Sequence, residues 1–262
     1  MKNDKNIINA LVVCKYPKNS KESSLCKIMN TVGFNFKYHY KNNLKPKDLK
    51  GIDLVISVGG DGTALSASHY LMEQPLLAVN SAPGRSEGAL TTININDIDN
   101  KLEDIKNNKF ESELLERIEV YINNKIQNPI ALNEVFIANE KAFLISKYTL
   151  RIVKNGSVRE EVQRSSGLIF STGTGSTAWF NSAGGKPFGA EEKFIKMLVR
   201  GPYFGKLGKF SIINETIDEK EEIELIAETK MVLAIDSIRE FKLKKGDKVR
   251  IKISKWALKR IK

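Results

Sequence analysis

The chain has 262 residues, 41% of them apolar, enough for one large core or two ordinary ones. Its 42 lysines and arginines against 31 acidic residues give a formal charge of +11, which favours anionic partners without choosing among nucleic acid, membrane surface and phosphorylated small molecules. No apolar run approaches the roughly 20 residues of a membrane span, residues 1–6 read as neither signal nor transit peptide, and Cys14 and Cys26 lack metal-ligand or disulfide-framework spacing, so a cytoplasmic protein with reduced thiols is expected.

Strands are expected at 8–13, 35–40, 52–58 and 76–80, alternating with helices at 21–32 and 64–73, the pattern of an open, mostly parallel α/β sheet. Asp97 is placed to cap a further helix running to about 107, with Ile98, Leu102 and Ile105 on one face. From 119 the apolar period becomes two, as in Ile118, Val120, Ile122 and then Phe143, Ile145, which predicts antiparallel β structure. Asn155-Gly156 between strands at 149–154 and 158–163 is a hairpin signal, because a type I′ turn needs positive φ at both central positions. A short helix is expected at 191–199, and strands resume at 223–227, 231–235 and 248–253, with Lys245-Gly246-Asp247 as a turn. The fold class is therefore α/β plus all-β: an open, Rossmann-like N-terminal domain followed by a β-rich, sandwich-like C-terminal domain.

The expected third strand runs directly into Gly59-Gly60-Asp61-Gly62-Thr63, after which a helix begins. Ligands of open α/β sheets bind outside the carboxyl ends of the strands. There Gly59, Gly60 and Gly62 let the backbone approach a phosphate chain, the helix N-terminus favours anions, and Thr63 adds a hydroxyl or a cap. Asp61 among such amides has two readings. It accepts a substrate proton or holds Mg²⁺, or it stabilises the turn through an Asx-type bond.

Two further motifs follow. Asn133-Glu134 is a polar pair in an otherwise apolar strand, which calls for a ligand rich in hydroxyls and amides or for neighbouring backbone. Ser171-Thr172-Gly173-Thr174-Gly175-Ser176-Thr177-Ala178-Trp179, then Asn181-Ser182, reads as a second anion- or ribose-binding loop. In this order and spacing the three motifs resemble those of the NAD kinases, over roughly residues 8–253. The segments from Val79 to Gly88 and from Ser171 to Trp179 look most like the branch with the animal mitochondrial enzyme and plant NADH kinase.

The resemblance implies that Asp61 takes the proton of the adenosine-ribose 2′-hydroxyl as it attacks the γ-phosphoryl of Mg-ATP. It implies that Gly59, Gly60, Gly62 and Thr63 hold phosphates, and that Asp61, Gly62, Asn133, Glu134, Arg164, Ser166, Thr174, Thr177, Ala178, Trp179 and Ser182 line the NAD site. Trp179, where the family carries Tyr, would offer a ring for stacking. Ser166 stands where bacterial members carry an aspartate on the nicotinamide side, and loss of that carboxylate leads us to expect NADH to be accepted comparably with NAD. Asp236, in Ile235-Asp236-Ser237, aligns with a family Asp-Gly near a subunit contact or is a turn aspartate. No metal ligand from the protein is assigned, Mg²⁺ being expected with ATP. The resemblance further implies a homodimer or homotetramer, and a first domain of residues 1–97 completed by 240–262 around a second of 98–239. A lipid or sugar kinase sharing the Gly-Gly-Asp-Gly-Thr loop is the alternative, opposed by Asn133-Glu134 and Trp179. A nucleic-acid-binding protein would leave Asp61 unexplained and lacks interleaved aromatics, so neither nucleic acid nor a membrane is an expected partner.

Overall fold

The computed structural model describes residues 8–15, 20–84, 88–154, 156–205 and 210–262. The chain forms two compact units, one of residues through Leu114 together with Leu258–Lys262, the other Leu115–Ala257.

The first unit is built on β1 (Asn9–Cys14), β2 (Asn35–Tyr40), β3 (Leu54–Gly59), β4 (Leu76–Asn80), β5 (Ile93–Asn94) and β6 (Ser112–Leu115), joined by the last strand of the chain, β19 (Leu258–Ile261). The sheet order is β2-β1-β3-β4-β19-β6, with β5 also on β4. The β1, β2, β3 and β4 pairings are parallel. Every residue of β3 and β4 is buried, which is why these stretches read as continuous apolar runs rather than alternating ones. Helices α1 (Ser20–Val32) and α3 (Ile98–Lys106) contribute Leu25, Met29, Ile98, Leu102 and Ile105 to a core with Val12, Ile56, Val79 and Ile261. Helix α2 (Asp61–Ser68) follows β3 after Gly60 alone, so the glycine loop sits at the carboxyl edge of a central strand.

The second unit contains β7 (Ile118–Ile122), β8 (Lys125–Ile126), β9 (Glu134–Asn139), β10 (Ser146–Lys154), β11 (Ser157–Ser165), β12 (Leu168–Ser171), β13 (Ile195–Val199), β14 (Asn214–Ile217), β15 (Glu222–Ala227), β16 (Met231–Ile235), β17 (Arg239–Leu243) and β18 (Lys248–Ile253), with one short helix, α4 (Trp179–Ser182). They form two six-stranded sheets, β11-β10-β15-β18-β7-β8 and β14-β13-β12-β9-β16-β17. Inward residues of both, such as Tyr148, Leu150, Leu225 and Ile251 from one and Val135, Phe170, Met197 and Leu233 from the other, share a single apolar core. Two sheets closing one core is the sandwich expected from the period-two pattern.

Several expectations are corrected. The stretch 191–199 is not a helix: Ile195, Met197 and Val199 are buried at every second position and lie on β13, while Glu191, Glu192 and Lys193 precede it. Phe143 and Ile145 lie outside any strand, in the β9–β10 connection, Phe143 being 82% exposed. Helix α2 starts at Asp61 and ends at Ser68 instead of spanning 64–73. The domain boundaries fall at 114 and 257 rather than 97 and 240, because α3 packs into the first core while β17 and β18 pair with β16, β15 and β7 of the second unit. Asn155 of the hairpin lies outside the described residues, although β10 and β11 pair in register up to Lys154 and Ser157 and Gly156 has φ of +75°. Arg85, Ser86 and Glu87 also lie outside them.

Phe170 is fully buried between the two sheets' apolar faces. Phe170→Ala should destabilise the second unit by about 3–5 kcal/mol, read as a lower urea midpoint, whereas Phe170→Leu should cost roughly half as much or less; equal losses would contradict the packing.

Candidate functional site

The glycine loop is held from three sides. The Thr63 N–H donates to the Gly60 carbonyl (2.8 Å) and the Ser81 N–H to the Gly59 carbonyl (3.0 Å). A Cβ on Gly59 would collide with the Thr63 side chain, so this position tolerates only glycine. Thr63 itself is 2% exposed, and its side chain packs against Gly59. Gly62, by contrast, is exposed with open space where a Cβ would point. The first amides of α2 have no acceptor within the helix and lie at its positive end.

Asp61 is in that first turn, and its carboxylate makes no Asx turn. Its Oδ1 accepts from the Leu90 N–H (2.8 Å) and the Thr91 N–H (3.3 Å), and its Oδ2 from the Ala89 N–H (3.0 Å). Three amides from a segment some thirty residues downstream thus fix the orientation of a half-buried carboxylate.

In the second unit a matching arrangement positions the polar pair. Asp236, 2% exposed, accepts from the N–H groups of Leu132 (2.8 Å), Asn133 (2.7 Å) and Glu134 (3.0 Å). Asp236 and Ser237 both have positive φ, 51° and 54°, a strained conformation for non-glycine residues that persists only where surroundings enforce it. The expected reading as a turn aspartate understates it: the carboxylate holds the backbone that carries Asn133 and Glu134.

The hydroxyl loop packs directly against this pair. Ser171 faces Glu134 across the β12–β9 pairing, the Thr172 hydroxyl donates to the Leu132 carbonyl (2.6 Å), and a Cβ on Gly175 would strike the Asn133 backbone. Thr174 lies next in this loop. Asn133 Oδ1, Glu134 Oε2 and Thr174 Oγ1 are buried polar atoms with no hydrogen-bond partner among the described residues. Such atoms are costly unless a ligand satisfies them, and all three belong to residues expected to meet NAD.

Thr177, Ala178 and Ser182 are exposed around α4. Trp179 is half-buried, its ring 4.4 Å from that of Phe136, with the Arg200 guanidinium carbon 5.5 Å from the Trp179 centroid and 5.4 Å from Phe136. Ser166 is exposed and its N–H donates to the Arg200 carbonyl (2.8 Å). Arg164 is an exposed β11 residue whose carbonyl accepts from the Tyr203 N–H. Phe136, Arg200 and Asp236 are not among the expected ligand-binding residues: Asp236 stands out in the sequence only by its alignment with a family Asp-Gly, Phe136 only by its nearness to Asn133-Glu134, and no role is expected for Arg200.

Burial pushes the Glu134 carboxyl up to about 7, helped by the charge of Asp236 and partly offset by a hydrogen bond from the Ser237 hydroxyl. The folded state therefore binds this proton more tightly than the unfolded chain. The stability it contributes is complete below about 4.5 and is lost as pH rises through about 7. Glu134→Gln should remove this slope, gaining up to about 3 kcal/mol on the wild type between pH 4.5 and 8; parallel stability curves for the two proteins would contradict it.

Among the described residues no group of three or more His, Cys, Asp or Glu side chains is arranged to hold a metal ion. Among the described residues no helix is long and apolar enough to cross a membrane.

The model of the ATP-NAD kinase N-terminal domain matches residues 10–110, and that of the ATP-NAD kinase C-terminal domain matches residues 132–262. The NAD kinase of Pyrococcus furiosus is 30% identical over 202 residues, 77% of this chain and 70% of that protein. A probable NADH kinase of Oryza sativa subsp. japonica is 32% identical over 169 residues, 58% of this chain and 52% of its own length. In fold the chain resembles the crystal structure of an NAD kinase from Archaeoglobus fulgidus in complex with ATP, with a TM-score of 0.78 at 23% identity over 97% of this chain and 94% of that one. With both domain models matched in order along the chain, this protein belongs to the ATP-NAD kinase family.

Proposed function

We propose that the chain transfers the γ-phosphoryl group of Mg-ATP to the 2′-hydroxyl of the adenosine ribose of NAD, with Asp61 as the general base. Family membership favours this reaction over a lipid or sugar kinase. The observation that carries the residue assignment is the Asp61 carboxylate, fixed by the Ala89, Leu90 and Thr91 amides beside a glycine turn at a strand's carboxyl edge. A neutral hydroxyl is a poor nucleophile, and a positioned base contributes on the order of 10²- to 10⁴-fold. Once the proton passes to Asp61, the ribose oxygen forms the new P–O bond and the β–γ bond of ATP breaks, leaving ADP.

Gly60 and Gly62 bring backbone amides to the phosphates, and charge neutralisation supplies most of the remaining rate. Mg²⁺ enters as part of the nucleotide substrate, held by phosphate oxygens and water. Asn133, Glu134 and Thr174 give the adenosine ribose and base the partners that their unsatisfied atoms require. Thr177, Ala178, Trp179 and Ser182 line the dinucleotide site.

NADH is accepted comparably with NAD in this reading. Ser166 supplies no carboxylate to favour a cationic nicotinamide, and its neighbour Arg200 brings a guanidinium over the Trp179 and Phe136 rings, a charge that disfavours the oxidised ring relative to the neutral reduced one. The same reading is supported by the resemblance of the segments from Val79 to Gly88 and from Ser171 to Trp179 to the branch containing plant NADH kinase. The protein works in the cytoplasm as a homodimer or homotetramer.

A coupled assay for NADP formation tests the reaction. Asp61→Asn should lower kcat by about 10²- to 10⁴-fold, and full activity in that variant would remove Asp61 from the mechanism. The ratio of kcat/KM for NAD to that for NADH should lie within about tenfold; a preference for NAD beyond roughly a hundredfold would end the NADH proposal.

A further inference from the structure

The segment that holds Asp61 is itself held from the other side. Arg260, on β19, donates through Nη1 to the Ala89 carbonyl (3.1 Å) and the Leu90 carbonyl (3.3 Å). These carbonyls belong to the same two peptide groups whose N–H ends, Leu90 and Thr91, bind Asp61 Oδ1. Each peptide group therefore lies between a cation at its oxygen and a carboxylate at its N–H, an alignment in which each hydrogen bond polarises and strengthens the next.

Arg260 has little freedom of its own. Its Nε and Nη2 bind Glu113 Oε1 at 2.9 and 2.7 Å, with both side chains mostly buried. The guanidinium fork thus divides its work, one edge on a carboxylate and one nitrogen on two carbonyls, a geometry a lysine ammonium lacks. The neighbouring backbone is fastened too: the Thr92 hydroxyl donates to the Ile261 carbonyl (2.9 Å) and the Thr92 N–H to the Ala78 carbonyl (2.9 Å).

We propose that Arg260, anchored by Glu113, is a positioning residue for the catalytic base, aligning the Ala89–Thr91 peptide groups that hold the Asp61 carboxylate in its reactive orientation. This rests on the reading of Asp61 as the base. It also assigns the C-terminal strand a role in catalysis.

A double-mutant cycle on the full-length protein tests it, with Asp61→Asn, Arg260→Gln and the double variant assayed for NADP formation and folding followed by circular dichroism. Arg260→Gln should lower kcat by about 10- to 100-fold while leaving the KM for Mg-ATP within about threefold, since a misplaced base affects the chemical step more than binding. In the Asp61→Asn background the same substitution should change kcat by less than about threefold, because the group it positions is gone. A loss equal in both backgrounds, or kcat within twofold of wild type for Arg260→Gln, overturns the proposal. Should Arg260→Gln fail to fold, Arg260→Lys carries the test under the same criteria. Full activity in Asp61→Asn alone would instead strike the assignment of the base.

Discussion

Two carboxylates, each closed by three backbone amides, set the geometry on which the rest of this protein's chemistry depends. Asp61 joins the glycine turn to residues 89–91, and Asp236 joins the end of β16 to residues 132–134. Hydrogen bonds to an ionised acceptor are shorter and about twice as strong as neutral ones. Here they fasten the segment 89–91, which lies outside the named strands, and the start of β9 at Glu134 with the two residues before it. In the first unit the clamped group is the carboxylate proposed as the base; in the second the clamped object is the backbone presenting Asn133 and Glu134.

The fold supplies the rigid frame for these clamps. Fully buried β3 and β4 fix the strand edge from which the glycine turn departs, and the two-sheet core around Phe170 and Leu233 fixes β9 and β12 beside each other. Against that frame, the unsatisfied Asn133 Oδ1, Glu134 Oε2 and Thr174 Oγ1 belong to two adjoining segments, the Asn133-Glu134 pair and the hydroxyl loop packed on it, and are a local cost there. Sites that violate the packing rules where the surrounding structure obeys them are where binding energy is waiting to be recovered.

What could be read in the sequence follows from how local each signal is. Strands at 35–40, 231–235 and 248–253 fall where the apolar pattern puts them, because alternation or a continuous run records burial directly. The stretch 191–199 misled because three charged residues precede a five-residue strand, too short to establish its period. Gly59-Gly60-Asp61-Gly62-Thr63 was legible as a tight strand-to-helix turn, yet the sequence could not show how closely the Thr63 side chain packs against Gly59, since that depends on the path of the backbone through the turn. Asp236 and Arg260 were opaque for another reason. Their partners lie more than a hundred residues away in the chain, and no spacing rule links a carboxylate or guanidinium to a distant peptide group.

The central claim is that Asp61, kept in place by the 89–91 amides, is the group that meets the substrate hydroxyl. A crystal structure with NAD and a non-hydrolysable ATP analogue tests it most directly. The ribose 2′-oxygen should lie about 2.6–3.2 Å from an Asp61 carboxylate oxygen, with the Ala89 and Leu90 amides still bound to that carboxylate. A 2′-hydroxyl facing a different base, or an Asp61 side chain turned away from the ribose, would contradict the account.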